Sequence, residues 1–187
     1  MQEPESSDTA PRRGDVDWLR CMIEIQQLCY RYALAADSRD LDLLVSLFVP
    51  DVRVGSTAFG RAALRSWYST ALRSVGATIH LVANHTVEIH HETATGVVYC
   101  REEVEELDTG QWRIGMLQYW DDYRRVDREW LFDRRRVRRW YSTDALTRPQ
   151  RGAGVYRGGD GRPNETALPD AFATWVDFWG SDEANAR

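Results

Sequence analysis

The hydrophobic period of this chain changes once, near residue 77, and that change limits the fold more than any other feature. Upstream, Trp18, Met22, Ile25, Cys29, Tyr32 and Ala36 recur at spacings of three and four, with Leu19, Ile23 and Ala33 beside them. That stripe is one face of an amphipathic helix beginning after Asp15. A second helix is expected after Asp40 in "LDLLVSLF", stopped by Pro50, followed by a short strand "VRV". A third helix fits "GRAALRSWYSTALRSVG", ending at Gly76. Downstream, "TIHLVANHTVEIH", "GVVYCREEVEEL", "QWRIGMLQYWDDYRRV" and "EWLFDRRRVRRWY" are β-rich, with turn signals "HETATG", "DTG" and "VDRE" between them. Three helices followed by a strand meander predict an α+β fold, a curved antiparallel sheet packed on N-terminal helices.

The expected organisation is a disordered polar tail over 1–14, an α+β domain over 15–142 and a Pro/Gly-rich C-terminal extension over 143–187. The extension closes in "DAFATWVDFW", whose Phe172, Trp175, Phe178 and Trp179 are costly to leave in water. They predict docking on the body, against another subunit, or as a lid over a ligand pocket.

Several chemistries are excluded by composition. All 24 basic residues are arginine, so Schiff-base and lysine general-base mechanisms have no candidate. A net charge of −5 argues against nucleic acid as a partner. The local exception, "RRRVRR" at 134–139, reads as a late strand with guanidinium groups on both faces, solvated or with one turned into an anion pocket. Apolar runs are too short to span a membrane and the N-terminus lacks a signal pattern, so no membrane partner and a cytoplasmic location are expected. Cys21, Cys29 and Cys100 have no metal or redox spacing and read as reduced packing residues.

The four histidines, His80, His85, His90 and His91, fall within twelve residues. Strand alternation sets His80 and His90 opposite His85 and His91 unless a bulge intervenes, so no metal site is expected. His80 opens the first long strand, and Asp37 lies where the first helix runs out. Asp40 already suffices to start the second helix. A carboxylate accepting one imidazole N–H leaves the other nitrogen as a base near neutral pH. Spacing permits that pair but equally permits a corner aspartate and a capping histidine. Tyr32 falls on the inward stripe, and Tyr99 and Tyr119 are comparable tyrosines on the strands.

Taken together, "YRYALAADSRDLDLLVSLFVPDVRV", "TIHLVANHTVEI", "TATGVVY" and "YWDDYRRVDREW" resemble the SnoaL-like branch of the nuclear-transport-factor-2-like superfamily over about residues 15–142. Scytalone dehydratase, bile-acid 7α-dehydratase and lindane dehydrochlorinase are members. The resemblance implies a cone-shaped α+β barrel and a catalytic Asp37–His80 dyad assisted by Tyr32. It also implies Arg135 at the site, with Tyr99, Tyr119 and Asn84 as further substrate-binding candidates. Two positions depart from the scytalone dehydratase pattern: its second histidine falls on Val104 and its asparagine on Tyr119. The function implied is a cofactor-independent lyase or isomerase for a small hydrophobic metabolite of polyketide or terpenoid type, in a homodimer or homotrimer built through the outer sheet face. Alternatives are a non-catalytic dioxygenase small subunit or ligand-binding scaffold, and an epoxide hydrolase or cyclase using Arg101 and Asp121.

Overall fold

Burial in α1 (Val16–Asp37) follows a single stripe of Cys21, Ile25, Leu28, Cys29, Tyr32, Ala35 and Ala36. In this computed structural model, which describes residues 13–146, 156–157, 163–164 and 168–177, the stripe faces the sheet. It is rotated from the expected one: Cys21 and Leu28 lie inside, whereas Leu19 and Ile23 are exposed. A 3.6-residue period centred on Ile25 carries both to the outer flank. The expected tail lies, but for its last two residues, outside the described residues, as do most of 147–167 and Phe178 and Trp179.

α2 (Leu41–Ser46) is a short helix started by Asp40, whose side chain accepts from Leu43 N–H at 2.9 Å. β1 (Arg53–Val54) and β2 (Ala58–Phe59) form a small hairpin before α3 (Gly60–Arg73). Four long strands then meander in order as one antiparallel sheet: β3 (Thr78–His90), β4 (Thr93–Glu105), β5 (Trp112–Val126) and β6 (Glu129–Asp144). The first turn is tighter than "HETATG" suggested, since Thr93–Gly96 already pair with β3 and only His91 and Glu92 form the tip. β-Branched threonines favour the strand there.

Inward strand residues and the helices share one core, in which Ile25, Leu44, Leu47, Leu117, Tyr123 and Phe132 are almost fully buried. Each large apolar side chain removed from water stabilises the fold by about 1.5–3 kcal/mol. The segment after α2 pairs in parallel with Phe132 of β6, through Val49 N–H to Phe132 O (3.0 Å) and Phe132 N–H to Leu47 O (2.9 Å). This joins the helical layer to the sheet as a cone. No described helix is long and apolar enough to cross a membrane.

The described part of the C-terminal extension includes the β7 (Tyr156–Arg157) and β8 (Pro163–Asn164) hairpin. Leu168 is buried and donates its N–H to Arg139 O of β6 at 2.9 Å. Phe172 then lies against Trp120 and Trp140, with ring centroids 5.8 and 6.1 Å away. Those tryptophans alternate with the inward residues of their strands, so the described residues 168–177 pack on the convex face and not over the concave one.

Asp127 and Arg128 join β5 to β6 as a two-residue turn with φ of 50° and 68°. Such a turn matches the strand twist but suits glycine at its second position. Arg128→Gly is expected to raise stability by about 1 kcal/mol. The thermal midpoint should rise by about 2–4 °C; an unchanged or lower midpoint contradicts this account of the turn.

Candidate active site

α1 closes with Ser38 N–H on Leu34 O and Asp40 N–H on Ala35 O, both 2.9 Å, leaving Asp37 as its last helical residue, turned toward the start of β3. Asp37 does not cap α2. Its carboxylate accepts from the Thr78 hydroxyl (2.8 Å) and the His80 imidazole (2.6 Å) at Oδ1, and from His80 N–H (2.8 Å) at Oδ2. Burial works to raise its pKa, but the hydrogen bonds and charge of His80 and the Thr78 hydroxyl outweigh it and hold Asp37 below the ordinary value. An ionised carboxylate has no proton to give, so His80 Nδ1 must carry the shared proton, and in the neutral ring the lone pair is on Nε2. The His80 and Asp37 side chains are 10 % and 25 % exposed, so the pair reaches solvent at the open end of the cone.

Tyr32 lies one and a half turns back along α1, its ring edge-on to His80 with centroids 6.4 Å apart. Its oxygen accepts from the Tyr68 hydroxyl of α3 at 3.2 Å, which leaves the Tyr32 proton free to be donated elsewhere. Burial raises the pKa of Tyr32, Tyr68 and Tyr119, keeping all three as neutral donors at physiological pH. Tyr68 is a site residue that sequence reading missed. Its only sequence signal is the four-residue spacing from buried Leu64.

Behind the tyrosines the cone is filled by charge. Arg135 on β6 points inward and grips Asp121 with Nε (2.9 Å) and Nη2 (2.6 Å). Its guanidinium carbon lies 4.2, 4.0 and 4.2 Å from the ring centres of Tyr32, Tyr119 and Phe132. Arg135 is thus near Tyr32, but its planar face and fork are already used. A second buried pair joins Arg139 of β6 to Glu102, the direct cross-strand neighbour of His80 on β4. Gly115 permits it, since a β-carbon there would stand 2.9 Å from both partners. Two arginines of "RRRVRR" therefore turn inward, and each meets a carboxylate.

A bulge in β3 between Val82 and His85 resets the alternation, so His85 shares the inward face with His80 while His90 stays exposed. Tyr123 donates to Asp121 Oδ2 at 2.9 Å and contacts His85 Nε2 at 3.2 Å, extending the Arg135–Asp121 network to β3. Gly96 makes room, as a β-carbon would lie 2.9 Å from His85 Nε2.

The structure therefore brings together Asp37, His80, Tyr32 and Tyr119, and adds Thr78 and Tyr68. Tyr99 is on the convex side of β4, between inward Val98 and Cys100, and Asn84 is exposed on the bulge, so neither joins the cluster. Arg101 faces outward and pairs with Glu103 at 3.1 Å, far from the interior Asp121. Val104, at the expected second-histidine position, is buried.

A family model described as a SnoaL-like domain matches residues 19–136. The uncharacterized protein Rv2910c of Mycobacterium tuberculosis is 31% identical over 119 residues, spanning 60% of this chain and 81% of its own. Among solved structures, a provisionally assigned scytalone dehydratase from Novosphingobium aromaticivorans superposes with TM-score 0.61 at 23% identity, over 74% of this chain and 96% of that one. The hexachlorocyclohexane dehydrochlorinase LinA-type3 of Novosphingobium barchaimii gives TM-score 0.65 at 20% identity, over 71% and 95%. At those identities the two structures share the fold with this chain.

Burial holds the His85 imidazole down at about 4, against 6.5 for a free one. The unfolded chain takes up a proton near the higher value and the folded chain only near the lower, so stability falls as pH drops through that window. His85→Gln is expected to flatten the thermal midpoint against pH between about 6.5 and 4. An unchanged slope contradicts a neutral, buried His85.

Proposed function

The chain belongs to the SnoaL-like domain family, and from that premise we propose that it is a cofactor-independent lyase or isomerase of dehydratase type acting on a small, mostly apolar metabolite. The observation that carries this reading is the 2.6 Å Asp37–His80 contact, because a carboxylate that accepts three donors holds the ring proton on Nδ1 and leaves Nε2 as the atom that can act as base. His80 Nε2 removes a proton from a carbon next to a carbonyl, and Asp37 stabilises the imidazolium that results. Tyr32 keeps its proton and donates a hydrogen bond to the carbonyl or leaving oxygen, supported from behind by Tyr68. In elimination the imidazolium returns its proton to the departing hydroxyl, the carbon–oxygen bond breaks and water leaves. In isomerisation the same proton goes to another carbon. Either way, His80 ends neutral and ready for a second turnover.

Fold neighbours named for a dehydratase and a dehydrochlorinase support the elimination branch. Aromatic rings and Arg135 fill the cone behind the dyad, so the reacting carbon sits at the rim beside His80. Polyketide- and terpenoid-like compounds with an activating carbonyl fit these demands.

Apolar β-hydroxy carbonyl compounds incubated with the protein in D2O should acquire deuterium at the α-carbon or lose water, followed by NMR. His80→Gln and Asp37→Asn should each slow the reaction by about 10²–10⁴-fold with the circular dichroism spectrum unchanged. A His80→Gln variant as fast as the original protein contradicts the acid–base reading and favours a non-catalytic scaffold.

A further inference from the structure

Four non-glycine residues among those described have positive φ. His91, Asp127 and Arg128 sit at hairpin tips, and the fourth is Arg39, at 61°, in the corner between α1 and α2. The helix end requires this conformation, because Asp40 N–H returns to Ala35 O and Arg39 N–H to Ala36 O (3.3 Å). Glycine takes the position freely, and asparagine tolerates it, whereas a longer side chain brings its β-carbon against the backbone. An arginine here is disfavoured locally, so its side chain must supply what glycine lacks.

The guanidinium makes three bonds. Nη1 donates to Ala36 O (2.7 Å) and Thr78 Oγ1 (2.8 Å), and Nη2 donates to Gly76 O. It therefore ties the end of α1 to the segment that opens β3, and its contact with Thr78 has a chemical consequence. A hydroxyl has one proton. With Arg39 donating to the Thr78 oxygen, that proton is directed to Asp37 Oδ1 at 2.8 Å, the oxygen that also accepts from His80. No ion pair between Arg39 and Asp37 occurs among the described residues, so the arginine supports the carboxylate without taking the lone pair that His80 uses.

We propose that Arg39 is a positioning residue that acts through Thr78, holding Asp37 as a fully accepting carboxylate and so keeping the His80 proton on Nδ1. Its consequence for turnover rests on the acid–base reading above; the relay itself does not.

The test compares Arg39→Gly, Thr78→Val and the double variant by the solvent-exchange rate of the His80 Nδ1 proton, read by NMR, and by thermal midpoint. Glycine removes the guanidinium while relaxing the backbone, and valine removes the hydroxyl while leaving the Arg39 bonds to Ala36 and Gly76 in place. Each single variant should speed exchange about tenfold, the order set by one net hydrogen bond. The double variant should be no faster than Arg39→Gly alone. A lowered midpoint with the exchange rate unchanged assigns Arg39 a merely structural role and overturns the proposal. Additive effects overturn the path through Thr78. If Arg39→Gly fails to fold, Thr78→Val decides: an unchanged rate in that variant removes the relay. Intact relay behaviour in a protein with no lyase activity leaves this inference standing and removes only the dehydratase reading.

Discussion

The Asp37 carboxylate accepts three hydrogen bonds from the first turn-on residues of one strand, and the open end of the cone depends on them. A half-buried anion is expensive unless its lone pairs are filled, and hydrogen bonds to a charged acceptor contribute about 1.5–3 kcal/mol each. The same contacts fasten the last turn of α1 to β3 and place the imidazole proton. Stability and chemistry are therefore joined at this corner: whatever loosens the helix end also frees the histidine to change tautomer.

Deeper in the cone the polar groups serve another purpose. Asp121 and Arg135 are 0 % and 5 % exposed at their side chains and satisfy each other through two bonds, with Tyr123 supplying a third. Removing one partner of such a pair costs about 3–5 kcal/mol because the other is left charged and alone. Arginine suits this interior where lysine would not, since its fork matches a carboxylate and its flat face stacks on Tyr32, Tyr119 and Phe132. The charge nearest Tyr32 is thus fixed in place and already neutralised. Of the two, the Asp37–His80 pair at the rim is the less buried.

How much of this was legible in the sequence differs from residue to residue. The change of period at residue 77 defines the helix-then-sheet order, and helical spacing alone turns Tyr32 inward. Asp37 stands out only because Asp40 makes it redundant as a cap; resemblance to a family, not spacing, supplied His80 as its partner. His85 was out of reach, because the bulge that turns it inward has no glycine or proline to mark it in "LVANH". Asn84 was misplaced for the same reason. Tyr68 and Glu102 depend on contacts between segments 36 and 22 residues from their partners Tyr32 and His80, which periodicity does not encode. Arg39 is hidden for a different reason: position after a helix predicts glycine, and only backbone geometry shows what an arginine does there.

In the proposed mechanism Asp37 fixes the proton of His80 on Nδ1 and leaves Nε2 as the base. The most direct test is the nitrogen chemical-shift pattern of the neutral His80 imidazole in the unaltered protein. The account predicts a protonated Nδ1 coupled to a pyridine-like Nε2, a pattern that Asp37→Asn should abolish. A proton on Nε2 with a bare Nδ1, or a spectrum indifferent to Asp37→Asn, would contradict it.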